Sequence, residues 1–250
     1  MLIDGIPSVT EAFPKTVRLV STARLRDSVL KPLVDSDDEL ALLSQIEGAT
    51  SARLTAEDRG ITGLAARELV YDVPHARFIN ASFAYAKPRE PNRFNGSDRG
   101  AWYAALDVAT CLAEVGFHLT QMLADAGAFF ATVDYAEMFA SMSGEFLDLR
   151  PVPDHPALGA DKAASYPVGN TLALQARAAG LNGIIYPSVR HRGGTCIAAL
   201  RPAAVQSVRQ GDVYRLRWQG HPTPAIDGPL TAAAAAQPRQ NPPALASTWP

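Results

Sequence analysis

Hydrophobic positions change period several times along the chain. Leu40, Leu43 and Ile46 recur at helical spacing behind Ser36 and Glu39, a capping box, with Gly48 as a stop. A helix is therefore predicted over 36–48, preceded by a stretch, 1–35, that Pro7, Pro14 and Pro32 mark as irregular. Residues 75–86, HARFINASFAYA, are rich in aromatics and small side chains and read as one or two strands. The run KPREPNRFNGSDRG reads as loop and AWYAAL as strand. The best helical stripe follows: Val108, Leu112, Val115, Leu119 and Leu123 share one face, Asp107 is a natural N-cap and Gly127 a stop. AFFATVDYA and EFLDLR read as two further strands, and GNTLALQARAAGLNG as a helix capped by Asn170 and stopped by Gly180. GIIYPSVRHRGGTCIAALRP has the pattern strand, polar turn, strand. DVYRLRW alternates as a last strand, with Tyr214, Leu216 and Trp218 on one face.

This mixture has no regular βαβ alternation, so the class expected is α+β, with mixed or antiparallel sheets and packed helices. Three regions are expected: an accessory segment over 1–70, a main domain over 71–220, and a tail over 221–250. Proline, alanine and glutamine dominate that tail, which predicts disorder.

Composition narrows the function classes. The 250 residues suit one domain with an accessory segment. With 23 Lys+Arg against 25 Asp+Glu, the chain lacks the basic surplus of a nucleic-acid binder, and no direct nucleic-acid partner is expected. No run of about 18 apolar residues exists, so no membrane partner is expected. The N-terminus has no basic stretch leading into an apolar run, so no secretory leader is expected. Cys111 and Cys196 lie in apolar runs as buried thiols do, and a reducing cytoplasmic location is expected. The five histidines show no metal-ligand spacing, so no metal is expected. The glycines of GITGLAA make no dinucleotide fingerprint and RHRGG has no P-loop lysine.

Candidate chemistry concentrates in NRFNGSDRGAWYAALDVATCLAEVGFH. Glu114 falls beside the apolar stripe of the predicted helix, near Cys111 and one turn before His118, at the margin of the core. Taken alone it reads first as a solvated flank residue, with His118 one turn away as a candidate partner. Tyr103 reads as a strand residue with Trp102 on the opposite face, Arg93 as the end of a polar loop, and Ser188 as a turn residue bonding its own backbone. Taken singly, none of these demands a function.

Their order does carry a resemblance. Tyr103 follows Arg93 by ten positions and Glu114 follows Tyr103 by eleven, with ASFAYA before them and YPSVR, containing Ser188, after them. In these motifs the chain resembles the RES-domain family, over roughly residues 75–220. EGATSARL in the N-terminal segment also resembles the longer branch of that family.

The resemblance implies a fold like that of ADP-ribosyltransferases of the diphtheria-toxin type. It implies NAD as substrate, cleaved between nicotinamide and ribose, with ADP-ribose passed to a protein or to water. NAD phosphorolysis is the alternative, as is a catalytically weak NAD-binding or nucleotide-binding module. It also implies a toxin restrained by an Xre-type antitoxin protein, and a host protein as one possible acceptor. The leaving nicotinamide departs neutral and the charge develops on the ribose, so one fixed carboxylate suffices, a role that falls to Glu114. Arg93 would grip the pyrophosphate, Tyr103 would stack on the nicotinamide and Ser188 would bind a phosphate or the carboxamide. The family pattern leads one to expect a histidine where this chain has Tyr85, whose phenol could still donate to a ribose hydroxyl or phosphate. Arg77 is a candidate for a second family arginine, and Arg190 and His191 could touch phosphate or an acceptor, or stand as exposed turn charges.

Overall fold

The computed structural model describes residues 2–3, 5–25, 64–84 and 91–230. The helix predicted over 36–48, Tyr85 and residues 231–250 lie outside them. In chain order the elements are β1 (Leu2–Ile3), β2 (Ile6–Ser21), α1 (Ala76–Ala84), β3 (Trp102–Ala105), α2 (Val108–Asp125), β4 (Phe130–Asp148), α3 (Lys162–Ala178), β5 (Gly183–Pro187), β6 (Thr195–Ala199), β7 (Val205–Gln219) and β8 (Ala225–Asp227). The class is α+β, as the sequence predicts.

The sheet is built around two long antiparallel strands. β2 and β4 pair from Ser8↔Leu147 to Ser21↔Tyr135. The opposite edge of β4 carries β7 along most of its length and, near its C-terminal end, β5 in parallel. β5 pairs with β6, β6 with β3, and β3 with β2 through Val17↔Ala105. These pairings close a circuit, β2–β3–β6–β5–β4–β2.

Strand alternation gives the sheet two apolar faces. Trp102, Ala104, Ile185, Ile197, Met138 and Phe146 share one cluster, which α1 covers through Ile79 and Phe83. Ala105, Tyr186, Cys196, Ala198 and Leu147 belong to the other, which α2 and α3 cover through Cys111, Leu112, Leu172 and Ala173. Tyr103 packs against this second cluster, so Trp102 and Tyr103 point to opposite faces as expected.

Several sequence expectations are corrected. Residues 6–21 are not irregular but form β2; Pro14 falls in the register shift between Phe13 and Thr16, a bulge where a missing N–H leaves no gap in the ladder. Residues 76–84 are a helix, not strands. Ile79 and Phe83, four apart, bury one face, and that spacing outweighs the strand-like composition. The two strands expected over 128–136 and 145–150 are parts of one 19-residue strand, β4. α3 starts at Lys162, capped by the Asp161 side chain, so Asn170 lies inside the helix and Pro167, ordinarily a breaker, is accommodated in its second turn. The region beyond 220 begins with β8, which pairs with β7 and is joined to it by Arg217–Asp227 at 2.8 Å.

Phe83 has no exposed surface. Its replacement by alanine should cost about 3–5 kcal/mol, read from denaturant unfolding, because a cavity opens beneath α1. A loss below about 1 kcal/mol would show that α1 contributes little to the core.

Candidate functional site

The site forms where α2, the β5–β6 turn and the Arg93 loop meet on the face that α2 and α3 cover. Asp107 caps α2 by accepting the Thr110 N–H at 2.7 Å, which fixes where the helix begins and hence which residues face the sheet. Glu114, one turn past Thr110, is half-buried, and Ser188 Oγ donates to its Oε1 at 2.7 Å. Ser188 Oγ in turn accepts the backbone N–H groups of Arg190 and His191, at 3.2 and 3.0 Å. Ser188 therefore closes its own turn, as its turn-residue reading has it, and in addition donates to the Glu114 carboxylate. The partner of Glu114 is this serine rather than His118.

The Arg93 loop is pinned from two sides. Tyr103 Oη accepts the Phe94 N–H at 2.9 Å and donates to Asn95 Oδ1 at 2.9 Å. Asn170 Nδ2, on α3, donates to the Asn92 carbonyl at 2.7 Å. A Cβ at position 169 would collide with the Arg93 carbonyl oxygen, so only glycine lets the loop lie this close to α3. So held, Arg93 is only 8% exposed. Its Nη1 donates to the carbonyls of Ala157 and Gly159, and the guanidinium lies 5.3 Å from the centre of the Tyr166 ring. Its Nε and Nη2 make no hydrogen bond among the described residues.

Electrostatics shows which groups share the space. The Tyr186 phenol is raised well above its ordinary value, first by burial and then by Cys196, Tyr103 and Glu114, with Arg93 opposing. Tyr166 is raised by burial and by Glu114, against Arg93 and Arg190. The His118 imidazole is pushed down to about 4 by burial and by the charges of Lys162, Arg190 and Arg93. Arg190 stacks 3.6 Å over Phe117, and Lys162 Nζ lies 5.3 Å from the centre of the same ring. None of the three cations forms an ion pair among the described residues. The site is thus one carboxylate, three cations and a neutral imidazole, a balance that suits an anionic ligand. Among the described residues no three His, Cys, Asp or Glu side chains gather where they could hold a metal ion. No described helix is long and apolar enough to cross a membrane.

A family model for the RES domain matches residues 69–219, more than half of the chain. The chain belongs to the RES-domain family. No curated protein matches it. Among solved structures, the crystal structure of the M. tuberculosis MbcT–MbcA toxin–antitoxin complex is similar at a TM-score of 0.36 and 15% identity, over 51% of this chain and 72% of that chain. A likeness this partial adds nothing to the family assignment.

Of the residues singled out in the sequence, the RES domain brings Arg93, Tyr103, Glu114, Ser188 and Arg190 together. Arg77 is exposed on α1, which packs on the opposite face of the sheet, so it stands apart from this group. Tyr85 lies outside the described residues. Tyr103, expected to stack on a ligand through its ring, also holds the Arg93 loop through its hydroxyl. Lys162, Tyr166, Phe117 and the depressed imidazole of His118 were missed as site residues. The Glu114–His118 spacing of one helical turn was the signal available for the last of these.

An unfolded histidine titrates near about 6.5, whereas His118 in the folded chain titrates at about 4. Between these values the unfolded state binds more protons, so this group withdraws stability as pH falls from about 6.5 towards about 4. Unfolding midpoints at about pH 7 and about pH 4.5 should therefore differ less in His118→Gln than in the native chain. An identical pH dependence in both would show that the imidazole is not held neutral.

Proposed function

We propose that this RES-domain protein consumes NAD by breaking the bond between nicotinamide and ribose, with Glu114 as the carboxylate that stabilises the charge developing on the ribose. The observation that carries this reading is the Glu114 side chain, half-buried, held by Ser188 through one oxygen, and interacting with the Arg190 guanidinium. Glu114 Oε2 makes no hydrogen bond among the described residues, which leaves it for a ribose hydroxyl. A single anion suits this reaction because nicotinamide leaves neutral and needs no proton from a general acid.

The remaining residues divide the dinucleotide between them. Arg93 retains donors for a phosphate oxygen, and Arg190 and Lys162 add charge beside it. A diphosphate would offset the positive surplus that the apoprotein carries there. Tyr103 serves by holding the Arg93 loop, and Ser188 by orienting Glu114. The resemblance to RES toxins supports a toxin role, restrained by an antitoxin of Xre type. ADP-ribose transfer to a protein or to water follows from the same resemblance, with phosphate as the alternative acceptor.

Incubation of the purified protein with NAD should release nicotinamide, and Glu114→Ala should slow release by about 10²-fold or more. Equal turnover by the two would remove Glu114 from the chemistry. Labelled NAD in a cell lysate then identifies the acceptor. A labelled protein band means transfer, free ADP-ribose means hydrolysis, and dependence on added phosphate means phosphorolysis.

A further inference from the structure

The β5–β6 turn is tied to α2 by a second contact, one turn along the helix from Ser188–Glu114. Thr110 Oγ1 lies 2.8 Å from His191 Nδ1. The same Thr110 hydroxyl donates to Asp107 Oδ2 at 2.8 Å. A hydroxyl has one proton, and an ionised carboxylate can only accept. The Thr110 proton is therefore spent on Asp107, and its oxygen must accept from the imidazole. His191 is thereby fixed as the tautomer with hydrogen on Nδ1. A Cβ at position 194 would collide with Thr110 Oγ1 and stand 3.0 Å from His191 Nδ1, so Gly194 is what allows the approach.

The same residue governs Ser188 through its main chain. The His191 N–H donates to Ser188 Oγ at 3.0 Å, and the turn is closed by Gly194 N–H to the His191 carbonyl and Ser188 N–H to the Gly194 carbonyl, at 3.0 and 2.8 Å. Thr110 and Glu114 are four residues apart on α2, hence on one face. His191–Thr110 and Ser188–Glu114 are two parallel rungs between one turn and one helix face.

The geometry points to His191 as a positioning residue: clasped to Thr110 and Asp107 through Nδ1–H, it sets the turn so that Ser188 Oγ meets Glu114. The kinetic part of this inference rests on the NAD-cleaving reading above. The tautomer does not. A histidine acting only through Ser188 has a distinctive signature, because removing the clasp after the serine hydroxyl has gone should cost nothing further.

Nicotinamide release is to be measured for the native chain, His191→Phe, Thr110→Val, Thr110→Ser, Ser188→Ala and the Ser188→Ala/His191→Phe double variant. His191→Phe and Thr110→Val should each lower kcat by about tenfold with KM for NAD changed less than about twofold. Thr110→Ser, which keeps the hydroxyl, should recover most of that loss. The double variant should be no slower than Ser188→Ala, whereas multiplied losses would overturn the clasp. Nitrogen-15 shifts of the native histidine rings test the tautomer without activity or substitution. Hydrogen on Nδ1 of His191 is expected, and hydrogen on Nε2 alone would overturn the clasp. Absence of nicotinamide release from the native chain would overturn the NAD reading, and the ring shifts would then decide the clasp by themselves.

Discussion

One hydrogen bond, from Ser188 Oγ to Glu114 Oε1, joins the parts of the molecule that make the site. It spans 74 residues of sequence and connects a turn between two strands to the middle of a helix. Everything that sets its length lies in the fold. The cap at Asp107 fixes the helical phase of Glu114, and the pairing of Tyr186 with Cys196 fixes where the turn begins. A carboxylate held in this way has lost part of its freedom before any ligand arrives. The ordering cost is thus met during folding, which is how preorganised electrostatic sites gain their strength.

The opposite wall depends on close backbone approach. Arg93 reaches its position because Gly169 has no side chain and because Tyr103 and Asn170 hold the loop on either side. The result is a nearly buried Arg93 whose charge acts on Arg190 and, with Arg190 and Lys162, on His118, with Glu114 the acidic group that couples to Arg190. Such a concentration of like charge is unfavourable in the free protein. Burial first, and that field second, keep His118 neutral. A fold that tolerates this arrangement has set stability aside locally, and an anionic ligand would restore the balance.

Part of the fold, and which side chains gather at one place, was legible in the sequence, and the reasons for the gaps are specific. α2, its cap and its glycine stop were clear because apolar spacing and capping agree there. Arg93, Tyr103, Glu114 and Ser188, which the structure brings together, are singled out by their order and by family resemblance, not by their individual settings. α1 was misread because Phe78, Phe83 and small residues suggest a strand, while only the spacing of Ile79 and Phe83 reveals the helix. The start of α3 was hidden behind Pro167, and Lys162 and Tyr166 were lost with it. The length of β2 was hidden by prolines that a bulge and a short edge pairing absorb. The anchoring of the Arg93 loop by the Tyr103 hydroxyl depends on where Phe94 and Asn95 fold back, which no local pattern encodes.

The central claim is that this cluster receives a dinucleotide with its ribose at Glu114. The most direct measurement is a crystal structure of the protein with a carba analogue of NAD, in which carbon replaces the ribose ring oxygen and the bond to nicotinamide cannot break. The account predicts the ribose hydroxyls on the Glu114 carboxylate and the diphosphate beside Arg93 and Arg190. An analogue bound elsewhere, or bound here with its diphosphate turned away from both arginines, would contradict it.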